Sequence, residues 1–166
     1  MTLALAEHPK GVETEDGLRI VYDIDRNVAF LGSARVDGPA LVWEITGDLG
    51  PGDWIVRCDR VDFPPGGIAY RHVHPGPGIR RILYGELTID RADGAHTYHA
   101  GEAWFEDADD AVLATASTTE ETSFVRVLLL PAEWAGRRTI RYLDPADEEK
   151  PKLQRAQILL EEPVRL

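Results

Sequence analysis

The chain has 166 residues, a length that lets a single domain bury about two thirds of its unfolded surface without disulfides. Eighteen basic against 29 acidic residues give a net charge of -11, which repels nucleic acid and anionic membrane surfaces and sets both aside as partners. One cysteine excludes an intramolecular disulfide; a start with no basic segment and an apolar run broken at Glu7 argues against a secretory leader or a membrane span, so a cytoplasmic protein is expected.

Residues 1–17 are mixed and polar and end in the turn signal Glu15-Asp16-Gly17, which predicts a loosely held N-terminal arm. From Leu18 the pattern becomes short β-type runs: 18–22, 28–31, 40–46, 54–61, 67–74, 80–89, 97–106, 111–116 and 122–130. The separators, among them Asp37-Gly38-Pro39, Pro64-Pro65-Gly66-Gly67 and Ala92-Asp93-Gly94, are rich in the residues that turns select. Many short strands at such intervals predict an all-β sandwich or barrel over 18–131, and no 3.6-residue apolar period before Pro131 runs long enough to predict a helix. Cys58 falls inside the alternation Trp54–Val61 and reads as a buried, inert thiol.

Beyond Pro131 the texture changes. Residues 131–136 read as a helical turn, 138–143 and 154–160 as two extended segments, and Asp144–Pro151 between them as a charged, solvated loop. This extension, 132–166, packs on the barrel or pairs with a second copy of the chain, and a homodimer is expected because exposed strand edges must be covered.

The stretch 64–86 concentrates the chemistry. His72 and His74 lie two apart in a strand and therefore project from one face, with Tyr70 beside them. Two neighbouring inward imidazoles need hydrogen-bond partners, which favours a site over a pair kept for packing. No Gly-rich phosphate loop, nucleophile elbow or CxxC pair occurs.

Gly66, the pair His72-Val73-His74 and Gly85 at their spacing, with Leu83-Tyr84-Gly85-Glu86-Leu87 closing a hairpin, resemble the first motif of the cupin superfamily of RmlC-like conserved barrels. Gly101, after Tyr98-His99-Ala100, resembles the start of the second. The resemblance implies a double-stranded β-helix, a jelly-roll barrel with few short helices and a C-terminal strand extension, holding a ligand or metal site in its mouth. It also implies metal ligands at His72 and His74, but the family's glutamate position falls on Gly78 and its second-motif histidine at or near Val112. A stable site for divalent iron, manganese, nickel or zinc needs three or four protein donors, so the metal is weakly held, another residue completes the set, or no metal binds. His96, turned inward if Tyr98 is inward, is the leading candidate; His99, Tyr70 and the acids Glu102, Glu106, Asp107, Asp109 and Asp110 are the others.

If position 78 points into the barrel, alternation sends Arg80 inward as well, into space that Gly78 leaves open. An arginine there must be paired or face an anionic ligand. The alternative is a bulge that puts Arg81 inside or both arginines at the rim. Arg126 raises the same question and reads as salt-bridged, while Trp104 is expected to face the pocket. The expected function is binding of a small polar or anionic organic molecule, with Tyr70, Arg80 and Trp104 as ligand contacts. If the chain is catalytic, His72 and His74 carry the reaction, either in a metal-dependent dioxygenase or isomerase or as a general base in a metal-free isomerase or epimerase. The further alternative is a non-catalytic sensing barrel.

Overall fold

The structure, a computed structural model, describes residues 52–165 and, ahead of them, the strands β1 (Thr2–Glu7), β2 (Leu18–Asp23), β3 (Val28–Leu31) and β4 (Ala40–Glu44). These four form a sheet in the order β3-β2-β1-β4, with β1 parallel to β2 and antiparallel to β4. Thr2–Glu7 is thus paired along both edges, where the sequence predicts a loose arm. The apolar run Leu3-Ala4-Leu5-Ala6 is far too short for a membrane span but long enough for a strand. The rest of that arm, residues 8–17, lies outside the described residues, as do the separators 37–39 and 47–51.

The remaining strands build two facing antiparallel sheets. One has the order β10-β7-β12-β5-β14, from β5 (Asp53–Phe63), β7 (Gly78–Tyr84), β10 (Ala103–Glu106), β12 (Thr122–Pro131) and β14 (Arg155–Arg165). The other has the order β13-β6-β11-β8-β9, from β6 (Ile68–Val73), β8 (Glu86–Arg91), β9 (Gly94–His99), β11 (Val112–Ala116) and β13 (Arg141–Tyr142). This is the all-β jelly roll the sequence predicts. Period-2 alternation places Val61, Phe63, Ile82 and Phe124 of the first sheet against Ala69, Leu87, Ile89 and Ala114 of the second, and this is the core between the sheets.

Strand β12 is buried on both faces. Its odd-numbered residues Val125, Val127 and Leu129 form a second core with Val56, Cys58 and Ile79 on the far side of the sheet. A strand covered on both faces reads as a continuous apolar run, as Leu128-Leu129-Leu130 does, so the single Arg126 in it is a marker of function or pairing. Cys58 is fully buried there, and burial pushes its thiol up, away from the nucleophilic form.

Two expected strands prove to be two strands each. The run 80–89 breaks at Gly85 (φ 75°) and the run 97–106 at Gly101 (φ 87°), and at each point the chain passes from one sheet to the other. At Gly85 a Cβ would stand 2.4 Å from the Glu121 carbonyl oxygen, so only glycine meets both the left-handed backbone and the close approach.

In the C-terminal extension β14 pairs antiparallel with β5 from Arg155 to Arg165, and β13 pairs with β6. A 3-10 turn at Ala132–Trp134 leads into it. The segment expected as a solvated loop contains a 3-10 turn, Pro145–Glu149, capped by the Asp144 side chain accepting from the Ala146 amide; Asp147 in it is buried and pairs with Lys150 at 2.5 Å. Among the described residues no helix is long and apolar enough to cross a membrane.

Candidate ligand-binding cavity

Between the two sheets lies a cavity of about 370 Å³. Register explains its polar wall. Asp59 on β5 stands directly opposite Arg126 on β12, Arg126 opposite Arg80 on β7, and Arg80 opposite Trp104 on β10, so one row of four inward side chains crosses the sheet. Two arginines facing each other across a strand pair repel, and burial makes each more costly still. Each is matched by its own carboxylate. Asp59 takes Arg126 bidentately, at 2.5 Å to Nε and 3.1 Å to Nη2. Glu106, two residues along β10, stands 2.7 Å from Arg80 Nη2 and accepts from Trp104 Nε1 at 2.7 Å. Arg80 Nη1 donates to the Gly78 carbonyl at 2.6 Å. Arg80 Nη2 lies within ion-pair range of Glu106, but its N–H bonds do not point at the carboxylate; among the described residues it is a buried donor with no hydrogen-bond acceptor.

The opposite wall carries the histidines. Along β6, His72 pairs with Val112 but Ala69 pairs with Ala114, so β6 advances three residues where β11 advances two. This bulge passes the inward position from Ala69 to His72 and takes Tyr70 off the cavity face. Tyr70 is half-buried elsewhere, with Lys150 Nζ 4.6 Å from its ring centroid, and is not a cavity residue, which corrects the expectation from simple alternation. The two imidazoles are both buried and meet edge to face with centroids 4.9 Å apart. His72 Nδ1 is 2.7 Å from the Tyr70 carbonyl, which only accepts, so Nδ1 carries the hydrogen and Nε2 the lone pair. The same tautomer holds at His74: Arg126 Nη1 donates to Nε2 at 3.3 Å, leaving Nδ1–H for Thr139 Oγ1 at 3.2 Å.

Burial is the main reason that both imidazoles are neutral. It lowers His72 to about 4, helped by the Arg126 and Arg80 charges and opposed by Tyr70 and Glu106. It holds His74 well below the ordinary value, with Arg126, Arg80 and His72 adding to it. Burial also pushes Arg80 down to about 10, with Glu106 opposing, so its guanidinium remains charged near neutrality.

These donors do not fit a divalent metal. The position opposite His72 is Val112, 1% exposed and without a donor atom. A Cβ at Gly78 would stand 2.3 Å from the Val127 carbonyl oxygen and 2.7 Å from Leu128 Cδ2, so β12 fills the space expected to be open and no acidic side chain has room there. His74 Nε2 is occupied by a guanidinium, and the Asp59 and Glu106 oxygens are engaged by Arg126, Arg80 and Trp104. His96 does share the face of Tyr98, edge-on at 4.5 Å, but β9 is the outermost strand and His96 is exposed and does not line this cavity. His99 is exposed beside Glu86, and of the acids in 102–110 only Glu106 reaches the cavity. Among the described residues no three His, Cys, Asp or Glu side chains are grouped to hold an ion. Among these His, Asp and Glu side chains one lone pair, on His72 Nε2, is left, and one donor is not a metal site.

Arg80, Trp104, His72 and His74 are therefore brought together, with Arg126 paired as expected. Arg57, Asp59 and Thr139 join them, three residues that the motif spacing does not single out. The signal for the first two is the spacing Arg57-Cys58-Asp59-Arg60-Val61: two opposite charges share a face with the apolar Ile55, Val61 and Phe63. Arg57, 2% exposed, donates to the Trp134 and Arg137 carbonyls and pairs with Glu161, which fastens the C-terminal segment across the cavity mouth. Thr139 carries no such signal, since only the folded chain sets it on His74.

Residues 59–127 match the family model for the cupin domain. Among solved structures the chain is similar to the polyketide cyclase RemF from Streptomyces resistomycificus, at 16% identity over 57% of this chain and 63% of that one, TM-score 0.44. It is also similar to an RmlC-like cupin from Shewanella frigidimarina, at 16% identity over 52% and 83%, TM-score 0.42. A predicted oxalate decarboxylase from Thermotoga maritima matches at 27% identity over 44% and 64%, TM-score 0.39. The chain thus spans less than two thirds of the cyclase and of the decarboxylase. No curated protein matches it. The stretch that matches the cupin domain runs from Asp59 on β5 to Val127 on β12, the two strands that hold the buried Asp59–Arg126 pair.

Proposed function

We propose that the cavity binds a small organic anion with an apolar body, its charged head held at Arg80. The observation that carries this is a local inversion of charge. In a chain of net charge -11, the cavity is lined by six basic residues (Arg57, Arg80, Arg126, Arg137, Arg138, Lys152) and two acidic ones (Asp59, Glu106), while Glu161 and Glu148 pair with Arg57 and Arg138 from outside the lining, which leaves Arg137 and Lys152 in excess. A cleft of one sign with low-dielectric walls concentrates ligands of the other sign. The unaccepted Arg80 Nη2 supplies the contact point, since a buried donor without an acceptor costs free energy that a ligand oxygen recovers. Apolar side chains such as Phe63, Leu87, Ile89 and Phe124 line the rest and suit a hydrophobic body.

Binding is favoured over the two catalytic readings. Metal-assisted oxygenation or isomerisation lacks a donor set, and a His72 base at about 4 is poorly matched to proton abstraction near neutral pH. Calorimetric titration of the full chain with benzoate and with its uncharged isostere benzamide tests the reading. Benzoate is expected to bind at least about tenfold more tightly, in line with a charge-assisted hydrogen bond worth 1.5–3 kcal/mol; equal affinities would refute an anion site.

A further inference from the structure

The polar atoms of the cavity can be matched one against another, and the remainder describes the ligand. Both nitrogens of His74, the Asp59 carboxylate, Glu106 Oε1 and the inner nitrogens of Arg126 are engaged in hydrogen bonds. Apart from Glu106 Oε2, which faces Arg80 Nη2 at ion-pair range, what is left on the two facing walls is one donor and one acceptor. The donor is Arg80 Nη2, on a side chain 2% exposed. The acceptor is His72 Nε2, which has no partner among the described residues, on a side chain 5% exposed whose tautomer the Tyr70 carbonyl fixes. A plain carboxylate satisfies the first and leaves the second facing two more lone pairs.

The apolar half adds a shape. Trp104 meets Phe124 edge to face at 5.7 Å, Phe124 lies 6.2 Å from Phe63, and all three rings line the cavity. Aromatic walls of this kind favour a flat, unsaturated body over a branched aliphatic one.

We propose that the ligand is a hydroxylated aromatic acid, whose anionic oxygen accepts from Arg80 Nη2 and whose hydroxyl donates to His72 Nε2. This rests on the anion-binding reading above and deepens it. It assigns to His72 a role in specificity: a site built to receive a hydrogen rejects the analogue that lacks one, because its own acceptor then stays unpaired.

The experiment compares benzoate, the three hydroxybenzoate isomers and the three matching methoxybenzoates by calorimetry on the full chain. The methoxy compounds keep the size of the substituent and remove the hydrogen. At least one hydroxybenzoate is expected to bind about tenfold or more tightly than both benzoate and its own methoxy analogue. That advantage is expected to vanish in a His72→Phe chain that still binds benzoate. Hydroxy and methoxy compounds of equal affinity at all three positions would overturn the inference, and this comparison needs no variant to fold. An advantage that survives His72→Phe would also overturn it and would move the acceptor to Gln154 Oε1, the buried unpartnered oxygen on the segment across the mouth. Benzoate binding without any hydroxyl preference leaves the anion site standing and removes only this proposal, whereas failure of every compound removes both.

Discussion

Asp59→Ala is expected to destabilise the chain by about 3–5 kcal/mol, the cost of breaking a buried ion pair from one side. Asp59 is 2% exposed and holds Arg126 at both Nε and Nη2 from the directly opposed position on the next strand. Without it the Arg126 guanidinium keeps only the single contact to His74 Nε2, in a cavity that already has excess positive charge and with Arg80 directly opposite. Replacing both partners, Asp59→Ala with Arg126→Met, is expected to recover most of the loss, because the penalty lies in the orphaned charge and not in the absence of the bond. Urea unfolding of the two variants beside the parent chain measures this. A single variant as stable as its parent would mean that water reaches Arg126 and that the cavity is not a low-dielectric site.

Acidification is expected to remove roughly 3 kcal/mol of stability between pH 6.5 and pH 4 through His72 alone. The sign follows from the direction of the shift. His72 is lowered by burial to about 4, from 6.5 in the unfolded chain, so between these values the unfolded state binds the proton and the folded state does not. The contribution is complete above pH 6.5 and declines as pH falls through that window. His74, lowered by burial and by Arg126, acts in the same direction. Unfolding free energies at pH 7, 5.5 and 4.5 for the parent and for His72→Gln isolate the effect, since carboxylate contributions are common to both. The parent is expected to lose more stability on acidification than the variant; parallel losses would mean that His72 is solvated in the folded chain.

Strand pattern and turn chemistry make the architecture legible in the sequence, because alternation and Gly/Pro punctuation are local properties. Legibility fails where one residue changes the geometry of its neighbours. Gly85 and Gly101 cut runs that look continuous, since passage between sheets depends on a backbone angle that apolar alternation does not encode. Spacing from His72 alone assigns Tyr70 to the pocket, and a bulge that depends on the partner strand β11 turns it away. Gly78 looks like open space because it has no side chain, yet its emptiness is what admits the β12 backbone. The histidine pair, Arg80 and Trp104 are legible as inward residues. The pairing that gives them meaning is not, because Asp59 and Arg126 are 67 residues apart and meet only through the register of β5 with β12. The late extended segments leave a second copy of the chain as one partner; β14 covers the β5 edge within a single chain.

The most direct measurement is the benzoate affinity of the parent chain and of an Arg80→Met, Glu106→Gln chain, side by side. The double replacement removes the proposed anion contact together with the carboxylate that neutralises it, so no unpaired charge remains to unfold the barrel. The account predicts a loss of at least about tenfold in affinity with the fold retained by circular dichroism, as for a charge-assisted hydrogen bond. An unchanged affinity would contradict it and place the anion, if one binds, away from the row of residues that joins Asp59, Arg126 and Arg80.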